Sequence, residues 1–199
     1  EGIDDTGFIA ALIDRLAADY PVDANRVFAT GISNGGFMCY RLACELSGKI
    51  RAVAAVAATN PVGLNGRCRP QRGVSVMIIN GTDDPIVPYN GGTVTLLGSS
   101  RGRVVSTDDT VSGWVRIDGC PGKRESRDLP DLDPADRTRV HVDTYGPCAG
   151  GTRVVLYRVQ GGGHTWPGGY QYLPAKFIGR TSRDIDACNE IWNFFNGIR

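Results

Sequence analysis

The stretch RVFATGISNGGFMCYRLACEL, residues 26–46, decides the fold of this chain. It opens with a short apolar run over residues 26–30, passes through a glycine-rich corner, and continues with helical spacing from about residue 36 to residue 46. A strand, a sharp turn and a helix in succession form the repeating unit of α/β sheets. The stretch therefore predicts an α/β protein whose strands run mainly parallel.

The apolar runs that follow fit this class. Residues 52–58 and 74–79 are apolar rather than alternating, which is typical of central parallel strands covered on both faces. Two further strand-like runs, residues 138–145 and 153–160, flank a glycine-rich turn, and we expect them to pair as neighbours. Residues 123–137 are charged and contain two prolines, which indicates a surface loop.

Helical periodicity marks three further segments. Residues 4–19 carry apolar side chains at helical spacing before a proline. A capping pattern begins at Ser106 and leads into a helix that ends before Gly119. A last helix is expected over about residues 184–196. Its predicted buried side chains are Ile185, Ile191, Trp192 and Phe195.

Length and charge narrow the function classes. A chain of 199 residues can bury one substantial core, and we expect a single domain over residues 1–199. Its 22 lysines and arginines nearly balance its 21 aspartates and glutamates, so nucleic acid and anionic membranes are not expected partners. No apolar run reaches the roughly 18 residues that a membrane-spanning helix needs.

The six cysteines are dispersed, without the paired CxxC spacing of a zinc site, so we expect no metal. An even number at scattered positions favours disulfides and a secreted protein, extracellular or periplasmic. Buried reduced cysteines in a cytosolic protein are the alternative. The spacing alone does not choose among the possible pairings.

The corner itself reads GISNG over residues 31–35, a G-x-S-x-G match between a predicted strand and a predicted helix. Such a corner lifts the hydroxyl of Ser33 to the carboxyl end of the sheet and needs small residues two places to either side. It also puts the backbone NH of Asn34 at a helix start, where it can donate to an oxyanion. Ser33 is therefore the candidate nucleophile. The alternative is a glycine-rich turn with a capping serine.

A serine needs an adjacent base to act as a nucleophile, and the chain has two histidines. His141 lies in an alternating strand, where an outward-facing histidine needs no special role. His164 lies in a glycine-rich loop just after a predicted strand, and this loop could hold it over the corner. We predict that His164 is the base; a histidine that only packs a loop or the surface is the alternative.

The carboxylate that orients the base is expected in the chain order Ser, acid, His. Asp83 and Asp84 follow the buried run over residues 74–79. Both therefore fall at the carboxyl end of a strand, where functional loops gather. Position alone does not separate the two, and one of them is expected to be only a turn residue.

With these residues in place, the chain resembles the polyhydroxybutyrate-depolymerase-like and feruloyl-esterase-like branch of the α/β-hydrolases. The similarity extends over nearly all the chain. It runs through GISNGG and the YRLACE behind it, NGTDDPIVPYNGG, TVSGW with the following Gly119-Cys120, and GGGHTWPGG. The resemblance implies an α/β-hydrolase fold with helices on both faces of a mainly parallel sheet.

The resemblance also implies roles for particular residues. The acid is the aspartate directly before Pro-Ile-Val-Pro, which is Asp84. Trp166, beside His164, is expected to line the acyl or alcohol side of the pocket. Neither a metal nor an organic cofactor is required.

One disulfide is likewise implied by the resemblance, between Cys120 and Cys148. We expect a second between Cys44 and Cys68, and the other two cysteines stay unassigned.

One departure from the family concerns the beginning of the chain. Relatives carry, ahead of the corresponding region, further strands and a His-Gly type loop whose backbone NH completes the oxyanion hole. Loss of one oxyanion donor costs on the order of 10²- to 10³-fold in rate, and loss of the strands would leave a central strand as a bare edge. We therefore expect these 199 residues to be the larger part of a domain whose N-terminal segment lies outside this sequence.

The predicted activity is hydrolysis of carboxylic esters through an acyl-enzyme on Ser33. The expected substrates are feruloyl or acetyl esters of plant polysaccharide, or short hydroxyalkanoate esters. A prolyl-oligopeptidase-like peptidase is one alternative, because the same triad order serves amide cleavage. An inactive relative that binds carbohydrate or polymer through Trp166, Tyr170 and Tyr172 is the other.

Overall fold

A computed structural model describes residues 2–122 and 124–198 of the chain. In this part of the chain, a main sheet has the strand order β1-β2-β3-β8-β7-β6, and β4 pairs with β5 in a separate hairpin. The strands are β1 (Phe28–Ile32), β2 (Ala52–Val56), β3 (Ser75–Gly81), β4 (Gly92–Leu96), β5 (Ser99–Val104), β6 (Arg124–Asp128), β7 (Arg139–Tyr145) and β8 (Val154–Gln160).

The helices join these strands or cover the sheet. They are α1 (Asp5–Asp19), α2 (Asn34–Glu45), α3 (Thr107–Ile117), α4 (Ala175–Ile178) and α5 (Ala187–Asn196). Short 3₁₀ turns lie at Pro134–Asp136 and Ala149–Gly151. None of the described helices is both long and apolar enough to cross a bilayer.

Strand direction brings three loops to one edge of the sheet. Strands β1, β2, β3 and β8 run parallel to one another. Strand β7 pairs antiparallel with β8, and β6 pairs antiparallel with β7. The predicted α/β class with a mainly parallel sheet is confirmed. Because the carboxyl ends of parallel strands meet at one edge, the residues after β1, β3 and β8 lie near one another.

The sheet is buried on both faces, which explains its uninterrupted apolar strands. Val53 and Ala55 of β2 face a core cluster that includes residues of α2 and α3, while Ala52, Ala54 and Val56 face another that includes residues of α5. Helices therefore cover both faces, as expected.

Two expectations about individual segments are wrong, and one hairpin was not expected. Residues 124–128 form the edge strand β6 rather than a loop, and all five side chains are exposed, so they carry no apolar signal. The β4–β5 hairpin, also largely exposed, was not predicted. Trp192 is 61% exposed, and Phe194 takes an inward position on α5 instead.

Two disulfides each join a loop to a residue near the end of a helix. One joins Cys44, near the end of α2, to Cys68, and the other joins Cys120, just after α3, to Cys148. These are the two pairs named in the sequence analysis. Cys39 is buried and free, and Cys188 is exposed and free.

Candidate active site

Ser33 occupies a strained corner between β1 and α2. Its φ is 55° and its ψ is −115°, a backbone conformation that residues other than glycine rarely adopt. Its backbone NH donates to the Val56 carbonyl at 2.8 Å, which ties the corner to the end of β2. Strain of this kind persists only where the surrounding structure imposes it, and it lifts the Ser33 side chain above the sheet edge.

The glycines around Ser33 are not equally required. A Cβ on Gly31 would lie 2.7 Å from the backbone of Gly35, and a Cβ on Gly36 would lie 2.6 Å from the Ala58 side chain. A Cβ on Gly35 would meet nothing within 4 Å. The close approach of strand and helix therefore depends on Gly31, two places before Ser33, and on Gly36, three places after it, whereas Gly35 could carry a side chain.

Asn34 is the first residue of α2, directly after Ser33. Backbone NH groups in the first turn of a helix have no acceptor within the helix. The positive end of the helix dipole also lies there, which favours a negative charge nearby. The Asn34 NH is thus suitably placed along the chain to donate to an oxyanion formed at Ser33.

His164 and Asp84 form a buried pair. Nδ1 of His164 lies 2.8 Å from Oδ2 of Asp84, and the two residues are only 4% and 8% exposed. The other oxygen of Asp84 accepts hydrogen bonds from the backbone NH groups of Ile86 and Val87, both at 2.8 Å. An ionised Asp84 requires the proton on Nδ1 of His164, which leaves Nε2 free to accept a proton.

The structure separates the two candidate acids. Asp83 is exposed, and its carboxylate accepts the Thr82 hydroxyl at 3.0 Å. Its backbone NH donates to the Gly162 carbonyl at 2.9 Å, linking the loop after β3 to the loop after β8. Asp84 therefore faces His164, and Asp83 joins the two loops.

The other histidine, His141, lies on β7 between two carboxylates. Its Nδ1 is 2.6 Å from Asp128, and its Nε2 is 3.3 Å from Asp143. Burial raises the pKa of Asp143, but a hydrogen bond from Ser126 and the nearby Arg124 outweigh it and lower that pKa overall. Among the described residues, the surroundings of His141 are an ionic cluster that contains no serine at a strained corner.

Glycines allow the His164 loop to pack tightly. A Cβ on Gly163 would lie 2.1 Å from the carbonyl oxygen of Ile178, and a Cβ on Gly81 would lie 2.2 Å from that of Gly162. Backbone therefore rests directly on backbone where the loops after β3 and β8 meet, and any side chain there would force them apart.

Ser33 and His164 line the same pocket, of about 730 Å³. Its walls are mostly apolar and come from the loop after β3, the tip of the β4–β5 hairpin and the segment around α4. The remaining lining residues are Ile32, Pro85, Ile86, Thr95, Leu96, Leu97, Tyr172, Leu173, Phe177 and Ile178. A largely apolar pocket shared by a serine and a histidine suits acyl transfer.

Trp166 does not line this pocket, contrary to expectation. It is half-buried and packs against the core cluster that includes α5, where Ala187 donates its backbone NH to the Pro167 carbonyl at 3.0 Å. Tyr172, Leu173 and Phe177 form the wall instead. Leu173 and Phe177 lie in a segment without regular periodicity, so the sequence offered no signal for them, and Tyr172 was named only for the alternative of a binding protein.

Comparison with known proteins gives esterases as relatives. The chain is 33% identical over 97% of its length to "Putative esterase NocK" of Nocardia uniformis subsp. tsuyamanensis, covering 57% of that protein. It is 37% identical over 82% of its length to "Probable feruloyl esterase C" of Aspergillus terreus, covering 51% of it. The chain thus spans about half the length of these curated relatives. No family model matches it.

A solved structure is similar in fold. Acetyl xylan esterase from Aspergillus awamori superposes with a TM-score of 0.51 at 13% identity, over 96% of this chain and 66% of that one. At such identity the similarity concerns the fold alone. The polyhydroxybutyrate-depolymerase part of the resemblance stays a prediction. The two curated relatives, matched over 97% and 82% of this chain, support its resemblance to the feruloyl-esterase-like family.

Proposed function

We propose that this protein is a serine esterase that hydrolyses carboxylic esters through an acyl-enzyme on Ser33. The observation that carries the proposal is the buried His164–Asp84 pair, 2.8 Å apart, whose histidine shares a pocket with Ser33. Such an arrangement supports an activated serine on an α/β-hydrolase-like fold. No metal ion or organic cofactor enters the proposed reaction.

The proposed reaction has two halves. Nε2 of His164 takes the Ser33 proton as Oγ attacks the ester carbonyl, and the Asn34 NH stabilises the oxyanion that forms. The same histidine then returns the proton to the departing alcohol. Water repeats these steps on the acyl-enzyme and releases the acid, while Asp84 keeps His164 in the required tautomer.

The pocket supports an ester whose acyl group is apolar and bulky. Its volume of about 730 Å³ is larger than an acetyl group fills, and Ile86, Leu96 and Phe177 make its walls apolar. Feruloyl esters of plant polysaccharide are therefore the proposed substrates, ahead of acetyl and short hydroxyalkanoate esters. A panel of methyl ferulate, acetylated xylan and hydroxybutyrate oligomers tests this order, and we expect the highest kcat/KM for methyl ferulate.

The peptidase alternative is tested by changing only the leaving group. We expect hydrolysis of 4-nitrophenyl esters and no measurable cleavage of matched 4-nitroanilides. Faster cleavage of the anilides would overturn the esterase proposal in favour of a peptidase. An inactive binding protein would hydrolyse neither.

We further propose that strands outside this sequence complete the domain beside β1. The described residues give β1 a partner on one side only, β2. On α1, the apolar side chains of Phe8, Leu12 and Leu16 are exposed, as expected of a helix face that packs against a further segment. The described sheet would then be the larger part of one α/β-hydrolase domain. Full esterase activity in a protein whose intact mass is only 21.3 kDa would contradict this.

We also propose a secreted protein, because its two disulfides form in oxidising compartments. Thiol labelling of the unfolded protein from its natural source, followed by mass spectrometry of its peptides, is expected to modify Cys39 and Cys188 but not the four disulfide-bonded cysteines. Labelling of all six without a reductant would point to a reducing compartment instead.

A further inference from the structure

The segment over residues 170–181 is folded into a compact flap beside His164. The side chain of Gln171 holds it together: Nε2 donates to the carbonyls of Leu173 and Gly179 at 2.7 and 3.0 Å, and Oε1 accepts from the Thr181 NH at 2.9 Å. One amide thus closes the base of the flap, and the backbone shape of the flap does not depend on a continuous helix.

The flap contacts both main-chain polar groups of His164. The His164 NH donates to the Ile178 carbonyl at 2.5 Å. The Tyr172 hydroxyl donates to the His164 carbonyl at 2.9 Å. Together with the bond from Nδ1 to Asp84, these contacts fix His164 from the side chain and from both sides of its backbone.

Tyr172 has a second contact with the site, because it lines the pocket together with Ser33. Burial raises the pKa of the Tyr172 hydroxyl, and the negative charge of Asp84 raises it further. The hydroxyl therefore stays protonated at neutral pH and remains a donor. Tyr172 thus combines a hydrogen bond to the His164 backbone with a place in the pocket wall.

We propose that Tyr172 is a positioning residue for the base His164 and, through its ring, a wall that determines which acyl groups bind. The inference rests on the proposed esterase function. A shift of about 1 Å in a reacting group can cost on the order of 10²-fold in rate. A side chain that holds the His164 backbone is therefore expected to affect turnover, although it does not touch the reacting atoms.

The two roles can be separated in the full-length protein. Tyr172→Phe removes only the hydroxyl, and we expect kcat to fall about fivefold to tenfold for both methyl ferulate and 4-nitrophenyl acetate, with KM unchanged within about twofold. Tyr172→Ala also removes the ring, so KM should rise for methyl ferulate but not for 4-nitrophenyl acetate. The matched control is Tyr20→Phe, at an exposed tyrosine without a side-chain hydrogen bond among the described residues.

Three outcomes would count against the inference. If Tyr172→Phe keeps the wild-type kcat, the hydroxyl does not position His164. If its kcat loss follows a fall in thermal midpoint and disappears on cooling, the hydroxyl contributes only to stability. If the wild-type protein itself hydrolyses neither ester, the proposed function fails and the role of Tyr172 fails with it. The wild-type assay therefore separates failure of the function from failure of the inference.

Discussion

A buried carboxylate lies near each end of strand β3, Asp84 in the loop after the strand and Asp118 at the end of α3, and the two are bonded very differently. At the carboxyl end, Asp84 uses both oxygens, one toward two backbone NH groups and one toward His164. At the amino end, Asp118 accepts the Val74 NH at 3.2 Å with one oxygen. Its other oxygen has no hydrogen-bond partner among the described residues.

The sparse hydrogen bonding of Asp118 affects the pKa of its carboxyl group. Burial raises the pKa of Asp118 to about 7, and the single hydrogen bond from Val74 only partly opposes it. Asp84 is about as inaccessible, but its carboxylate accepts hydrogen bonds on both oxygens. Burial alone therefore does not distinguish the proposed catalytic acid Asp84 from Asp118. The bond to His164 and the position after a parallel strand do.

The largest expected effect is at the carboxyl end of β3. Asp84→Asn keeps the shape of the side chain but can stabilise the wrong tautomer of His164, so we expect kcat for methyl ferulate to fall on the order of 10⁴-fold. Asp83→Asn is the matched control at the adjacent exposed position, and its kcat should stay within about twofold of wild type. Equal losses in the two variants would remove the distinction between the two aspartates.

At the amino end, the Cys120–Cys148 disulfide lies beside Asp118, whose carbonyl accepts the Ala149 NH at 3.0 Å. This disulfide closes a loop with a sequence separation of 28, so the double change to alanine should lower the free energy of unfolding by about 3 kcal/mol. Urea denaturation measures the loss. Cys188→Ala, at an exposed free cysteine, is the control and should change stability by less than about 0.5 kcal/mol.

A smaller effect is expected from Asp118→Asn, and it depends on pH. The folded pKa of about 7 lies above the ordinary 3.8, so the folded state binds more protons than the unfolded state between these values. The wild-type protein therefore loses stability as pH rises from about 4 to about 7. We expect the asparagine variant to be more stable above pH 7 by about 1–2 kcal/mol and unchanged near pH 4.

Urea denaturation at pH 4 and pH 8 checks this prediction. Because Asp118 is remote along β3 from the proposed triad, kcat of Asp118→Asn should stay at the wild-type value. A stability gain of the same size at both pH values would show that packing, rather than charge, distinguishes Asp118 from Asp84.

The smallest expected effect is at the rim of the pocket. Leu97 is 95% exposed at the tip of the β4–β5 hairpin and has a φ of 50°, which asparagine tolerates well. Leu97→Asn should leave the free energy of unfolding within about 0.5 kcal/mol and raise KM for methyl ferulate about twofold to fivefold. An unchanged KM would show that substrate binding does not extend to the hairpin.

The sequence predicted those parts of the site whose residues carry a motif and follow a strand. Ser33, Asp84 and His164 each follow a parallel strand, so topology alone brings their loops to one edge. The sequence could not choose between Asp83 and Asp84 from position; the resemblance did, and the structure places Asp84 against His164.

What the sequence missed depends on long-range packing. The pocket walls formed by the β4–β5 hairpin and by residues 172–178 come from largely exposed segments without periodicity. The local sequence pattern therefore did not predict that these segments line the pocket. Trp166 was expected at the pocket because it neighbours His164 in sequence. Its loop instead folds back onto α5, a contact between distant segments that a motif cannot encode.

The most direct test of the central claim is labelling of the folded protein with a fluorophosphonate, followed by mass spectrometry of its peptides. We predict one phosphonyl group per molecule, on Ser33. Ser33→Ala should take up none at an unchanged free energy of unfolding, and His164→Ala should react far more slowly. A folded wild-type protein that stays unmodified, or that is modified at another serine, would contradict the assignment of Ser33 and His164 as nucleophile and base.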